Sequence, residues 1–121
     1  MIQERYLKFF IQKDLQKKMV FIGGPRQVGK TTLARSVGEE WYSGYEYLNW
    51  DYREDRFRIL DYSFSKKTPL LIFDELHKYR IWKRYLKGIF DKEKDVRKVL
   101  VTGSARLDLY RRCGDSLRGY F

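Results

Sequence analysis

Short apolar runs punctuate the chain, and segments of helical periodicity separate them. Leu70 to Phe73 is apolar without interruption, as expected for a strand buried on both faces of a sheet. Met19 to Gly23 and Val96 to Thr102 read the same way. Tyr45 to Trp50 alternates and is rich in aromatics, which suits a further strand. Ile2 to Lys18 reads as a helix, with Ile2, Tyr6, Phe10 and Leu15 near one face. Lys30 to Trp41 carries a stripe of Leu33, Ala34, Val37 and Trp41, interrupted by Gly38, a poor helix former. Arg53 to Tyr62 is a third helix, with Asp51 as its expected cap. In Ile81 to Lys92, residues Ile81, Trp82, Tyr85, Leu86, Ile89 and Phe90 share one face, and Lys83, Arg84 and Lys87 share the other. Leu107, Leu109 and Tyr110 fall in a last short, basic helix. Pro69 opens a strand, where its missing N–H costs little. The alternation of strands and helices predicts one α/β domain over residues 1–121, with a parallel sheet between two helical layers.

The turn after the first strand is the most specific local signal. Gly24-Pro25-Arg26-Gln27-Val28-Gly29-Lys30-Thr31-Thr32 satisfies the phosphate-loop pattern G-x-x-x-x-G-K-[ST], between a strand and a helix. A triphosphate needs many N–H donors converging on a small volume. Glycines let the backbone wrap closely, and the helix N-terminus adds its unpaired N–H groups and positive dipole end. Lys30 would reach the β- and γ-phosphates, the Thr31 hydroxyl would ligate Mg²⁺, and Thr32 would donate to the α-phosphate.

Such a site needs a second acid at a neighbouring strand end, and Asp74-Glu75 follows the run Leu70 to Phe73. Asp74 would hold Mg²⁺ directly or through water, and Glu75 would polarise the attacking water. By itself the pair also suits a solvated strand exit. At the end of the last apolar run, Thr102 or Ser104 could contact the γ-phosphate or the water, although Thr-Gly-Ser is also ordinary turn chemistry.

Length and composition narrow the class. With 121 residues the chain holds one core, and 43% hydrophobic residues make it globular rather than disordered. The apolar runs are too short to span a bilayer, and no secretory signal is visible at the N-terminus. A single cysteine, Cys113, and a single histidine, His77, exclude an internal disulfide and cysteine or histidine metal clusters. A cytoplasmic protein is expected. The net charge of +10 attracts polyanions, nucleic acid as well as nucleotides, although a charged soluble surface explains the same number. The competing reading is therefore a nucleic-acid-binding module with a vestigial nucleotide site. A P-loop kinase is a third option, and the carboxylate pair favours water over a transferred hydroxyl.

Together, Gly24 to Leu33, Tyr47-Leu48-Asn49-Trp50-Asp51, Asp74-Glu75-Leu76-His77-Lys78-Tyr79 and Val101 to Leu107 resemble the AAA-type P-loop ATPases of archaea and bacteria. The resemblance runs along nearly the whole chain. It implies a three-layer P-loop NTPase sandwich with core strand order 5-1-4-3-2, and ATP with Mg²⁺ as ligands. It implies Lys30 and Thr31 in the loop, Asp74 on the metal, Glu75 as the catalytic carboxylate and Ser104 as a sensor of the γ-phosphate. Two departures stand out. The chain stops at Phe121, where the fifth core strand would begin and before the C-terminal domain that members usually carry. Ser116-Leu117-Arg118-Gly119-Tyr120 has Tyr where members show an Arg after the Gly, which puts hydrolysis in question. A homo-oligomer or a missing C-terminal domain is the expected completion, with Arg106, Arg111 and Arg112 as candidates to reach a neighbour's nucleotide.

Overall fold

A computed structural model describes residues 2–23 and 29–104. Its strands are β1 (Val20–Gly23), β2 (Glu46–Asn49), β3 (Leu70–Asp74) and β4 (Lys98–Gly103). Its helices are α1 (Ile2–Leu15), α2 (Lys30–Trp41), α3 (Arg53–Asp61) and α4 (Trp82–Glu93), with a short 3-10 turn at Leu76–Lys78. The strands form one parallel sheet in the order β1-β4-β3-β2, which is the 1-4-3-2 portion of the expected core. The expected fifth strand and the basic helix at Leu107 to Tyr110 lie outside the described residues.

Two apolar layers hold the sheet. On one face Leu70, Ile72 and Leu100 pack with Leu33, Ala34 and Val37 of α2 and with Ile11 and Leu15 of α1. On the other, Leu71, Phe73, Val99 and Val101 pack with Trp82, Leu86 and Ile89 of α4 and Ile59 of α3. Odd and even residues of β3 and β4 therefore serve opposite layers, as a strand's two-residue period requires. Each fully buried Leu, Ile or Phe contributes about 1.5–3 kcal/mol relative to exposure. β3 is buried throughout, in keeping with its unbroken apolar run.

Several sequence expectations are corrected. The inward stripe of α1 runs through Ile11 and Leu15, whereas Tyr6 and Phe10 are 62% and 53% exposed. Lys8, one turn before Ile11, pairs with Glu40 of α2 at 2.6 Å and fixes that phase. Among the described side chains of α1, Ile11 and Leu15 reach the core, and the aromatics before them do not define the buried face. Trp41 ends α2 at 38% exposure, beyond the reach of the sheet. Val96 is exposed and precedes β4, because its N–H and that of Arg97 close a turn on the Glu93 carbonyl, both at 2.9 Å. Asp51 does not cap α3. The residue before that helix is Tyr52, and the Asp51 carboxylate instead pairs with Lys78 at 2.8 Å.

Gly38 gains a reason for its place in α2. A Cβ there would lie 2.5 Å from Cδ1 and 2.8 Å from Cγ of Tyr45, at the base of the ring where little can yield. Gly38→Ala is expected to destabilise the fold by about 1–3 kcal/mol through overpacking, although alanine is the better helix former by about 1 kcal/mol. Urea unfolding measures it. In a Tyr45→Ser background the same change should become neutral or stabilising.

Candidate functional site

The C-terminal ends of the parallel strands and the N-terminus of α2 meet around a cleft of about 420 Å³. Its walls are Gly29, Lys30, Thr31, Thr32, Asn49, Asp51, Tyr52, Asp74 and Glu75. Residues from three separate parts of the sequence thus share one pocket. Gly24, Pro25, Arg26, Gln27 and Val28, expected to cradle phosphates, lie outside the described residues, as do Arg106, Arg111 and Arg112.

Gly29 turns into α2 at φ 68° and ψ 33°, a left-handed conformation that glycine adopts without a Cβ penalty. Its carbonyl accepts from Leu33 N–H at 3.0 Å and so begins the helix. Among the described residues no side chain caps α2, and no acid lies in its first turn. α3, by contrast, has Glu54 and Asp55 there. The positive end of α2 is therefore left to whatever occupies the cleft. Lys30, only 6% exposed, adds its ammonium to the same end.

Asp74 ends β3, in register with Asn49 of β2 and Thr102 of β4. It shares the sheet face of Leu70 and Ile72 and so lies beneath α2. Its Oδ2 accepts from Thr31 Oγ1 at 3.0 Å and from the Tyr47 hydroxyl. The Thr31 proton is thus directed at the carboxylate, which leaves the oxygen's lone pairs for a cation. Mg²⁺ takes hard oxygen ligands and keeps several waters, so a hydroxyl, one carboxylate and phosphate oxygens form a fitting donor set. No cage of three or more His, Cys, Asp or Glu exists among the described residues.

Glu75 points elsewhere. Its φ of 60° is left-handed, which takes its side chain out of the strand alternation. Its N–H still donates to Thr102 O at 2.9 Å. Oε1 accepts from Ser104 N–H and Oε2 from Ser104 Oγ, both at 3.0 Å. His77 Nε2 stands 3.4 Å and Lys78 Nζ 3.6 Å from Oε2. Ser104, expected to face a γ-phosphate, does not line the cleft and is joined to it through Glu75. Thr102 is fully buried, and its Oγ1 has no hydrogen-bond partner among the described residues.

Sequence reasoning missed four parts of this site. Tyr47 and Asn49 read as strand residues and as part of a segment that carries the family resemblance, without a role in the site, and they alternate on one face of β2 beside Asp74. Asn49 Nδ2 donates to the Tyr47 oxygen at 3.2 Å. Burial raises the Tyr47 pKa, and donation to the Asp74 carboxylate raises it further, so the phenol remains a protonated donor. Two polar groups at the end of a strand neighbouring the acidic one were the available signal. His77 and Lys78 complete the surroundings of Glu75, and no spacing rule picks them out.

The acid at the end of β3 is not on the neighbouring strand the sequence led us to expect, since β4 separates β3 from β1. The parallel sheet, the Gly-Lys-Thr helix start and that acid define a P-loop nucleotide-binding domain. A family model described as an AAA domain matches residues 16–121, and the chain belongs to that family of P-loop ATPases. The fold resembles the RuvB Holliday junction branch migration motor of Thermotoga maritima, with a TM-score of 0.64 and 18% identity, covering 100% of this chain and 43% of that one. A single-site variant of the same motor gives 0.63 and 19%, with the same coverage. The chain thus spans less than half the length of these motors. No curated protein sequence matches it. No helix among the described residues is long and apolar enough to cross a membrane.

His77 gives the site a pH signature. Burial pushes the imidazole below its ordinary 6.5, against the upward pull of the Glu75 carboxylate. The folded protein then binds this proton less readily than the unfolded chain does. Its contribution to stability is complete above pH 6.5 and is lost as the pH falls through the folded value. His77→Gln should therefore flatten the decline of the urea midpoint below pH 6.5 relative to the parent. Equal slopes in the two proteins would contradict this.

Proposed function

We propose that the chain is the Mg·ATP-binding module of an AAA-type ATPase and that the same cleft supports hydrolysis. The observation that carries this reading is the convergence of Lys30, Thr31, Asp74 and Glu75 on one cleft at the N-terminus of α2. Lys30 and the α2 N–H groups hold the β- and γ-phosphates, with residues 24–28 completing the cradle. Thr31 and Asp74 hold Mg²⁺. A magnesium ion held there would supply charge neutralisation for the phosphate oxygens. Glu75 polarises the attacking water, and Ser104 positions Glu75 through its N–H and hydroxyl. That assignment replaces direct γ-phosphate sensing by Ser104.

Lys30→Ala should weaken Mg·ATP binding by about 100-fold or more, measured by calorimetry. Unchanged affinity would refute the site. Glu75→Gln should leave binding near the parent value while slowing phosphate release by about 100-fold or more, read in a single-turnover assay. Equal turnover would remove Glu75 as the base.

A polyanionic partner is a second, compatible reading. Arg84, Lys87 and Lys92 are exposed on α4, and the chain carries a net charge of +10. The RuvB motor works at a DNA junction, and by analogy this module would act on nucleic acid. Association with a DNA duplex should appear at low ionic strength and weaken steeply with salt. No association at low salt would remove the reading. A homo-oligomer, in which Arg106, Arg111 or Arg112 reaches a neighbour's nucleotide, or a C-terminal domain is the proposed completion of the module, and a cytoplasmic location is part of the same reading.

A further inference from the structure

Tyr47 has no place in the phosphate-loop pattern and does not line the cleft, yet its hydroxyl is bonded to an acid that does. Its hydroxyl donates to Asp74 Oδ2, the same oxygen that accepts from Thr31. Asn49 Nδ2 donates to the phenolic oxygen, so the single phenolic proton is directed at Asp74. The Arg35 guanidinium covers the ring at 4.3 Å from its centroid. Arg35 follows Thr31 by four residues, one turn along the same face of α2. The ring is thus clamped by the helix that presents Thr31, and the hydroxyl is fixed on the carboxylate beside Thr31. Packing alone would be served by phenylalanine. The oxygen is half-buried, and such a group is costly unless paired.

We propose that Tyr47 is a positioning residue for the divalent cation: its hydrogen bond fixes the Asp74 carboxylate against Thr31, and so sets metal affinity rather than nucleotide affinity. This rests on the reading of Thr31 and Asp74 as the residues that hold the metal. Losing the donor would leave the Asp74 carboxylate free to turn, and removing outer partners of metal ligands commonly weakens binding by about 10–100-fold.

The test uses the full chain with Mn²⁺ as the probe. Free Mn²⁺ is read by electron paramagnetic resonance in the presence of ATP, and ATP affinity is measured separately in EDTA. Tyr47→Phe should raise the Mn²⁺ dissociation constant about tenfold, with ATP affinity in EDTA and the thermal midpoint close to the parent. Arg35→Met keeps the hydroxyl and frees the ring, and should raise the Mn²⁺ constant in the same direction by about threefold. It also keeps the test available if Tyr47→Phe folds poorly. Parent-like or tighter Mn²⁺ binding in both variants overturns the role of Tyr47. So does an equal loss with and without metal, which would mark a structural residue. If the parent binds ATP no better with Mn²⁺ than in EDTA, the metal reading of Thr31 and Asp74 falls, and the proposal falls with it. A strongly metal-dependent parent with unaffected variants removes Tyr47 alone.

Discussion

One carboxylate oxygen joins three elements of this fold. Asp74 Oδ2, at the end of β3, accepts from Thr31 of α2 and Tyr47 of β2. A buried anion is tolerated only where donors surround it, so the arrangement constrains everything that brings those donors in. β2 and β4 must pair with β3 in register, as Asn49 and Thr102 do with Asp74. A slip of one residue would turn Asp74 into the opposite layer, towards α3 and α4, away from Thr31. That slip is opposed by the buried runs themselves, since it would exchange Leu70 and Ile72 with Leu71 and Phe73 between layers of different shape. Core packing therefore sets the site's geometry.

Electrostatics divides α2 and α3, two of the helices that begin at the C-terminal edge of the sheet. α3 meets its own needs: Glu54 and Asp55 lie in its first turn, and Asp55 reaches back to the Asn49 N–H at 3.0 Å, tying the helix to the end of β2. Among the described residues α2 has no capping side chain and no acid in its first turn, and it begins with a buried lysine. The helix N-terminus and Lys30 share the cleft with Asp74 and Glu75, and the N–H groups of α2 suit an anion there. Asp51 adds to the contrast. Its carboxylate is occupied by Lys78, whose ammonium also lies near Glu75, so the two acids share one counter-charge.

The sequence was most legible where one physical cause acts alone. The uninterrupted run at Leu70 to Phe73 could only be a strand covered on both sides, and Gly29-Lys30-Thr31 announces its turn because the left-handed Gly29 cannot be replaced cheaply. Parallel pairing follows from the alternation of strands and helices, the meeting of Lys30 and Thr31 with Asp74 and Glu75 from those two signals, and the strand order from the family resemblance alone. Legibility failed where a neighbour decides. The phase of α1 is set by contact with α2, and a stripe of aromatics at Tyr6 and Phe10 misled because amphipathic spacing cannot say which face meets a partner. Asp51 had the chemistry of a cap, but Lys78, distant in sequence, takes its carboxylate. Tyr47 reads as an ordinary strand aromatic until β2 is laid beside β3. Gly38 reads as a defect until Tyr45 fills the space over it.

Asp74 and Glu75 are adjacent in sequence and opposite in circumstance. In a regular strand, successive side chains enter opposite layers, and Glu75 would be driven into the apolar layer of Phe73 and Val101. Its left-handed backbone, which costs a residue with a Cβ about 1–2 kcal/mol, avoids that and carries the carboxylate across the end of β4 instead. There the Ser104 N–H and hydroxyl, with His77 and Lys78 nearby, replace the water it would otherwise keep. Those partners are unequally divided. Oε2 faces the hydroxyl, the imidazole and the ammonium, while Oε1 carries one hydrogen bond among the described residues. An oxygen with two lone pairs and one donor can accept a second proton donor without breaking a contact. Under the proposed hydrolysis a water polarised by Glu75 would be taken at Oε1, with Oε2 anchored, and the left-handed turn at residue 75 keeps the acid out of the core.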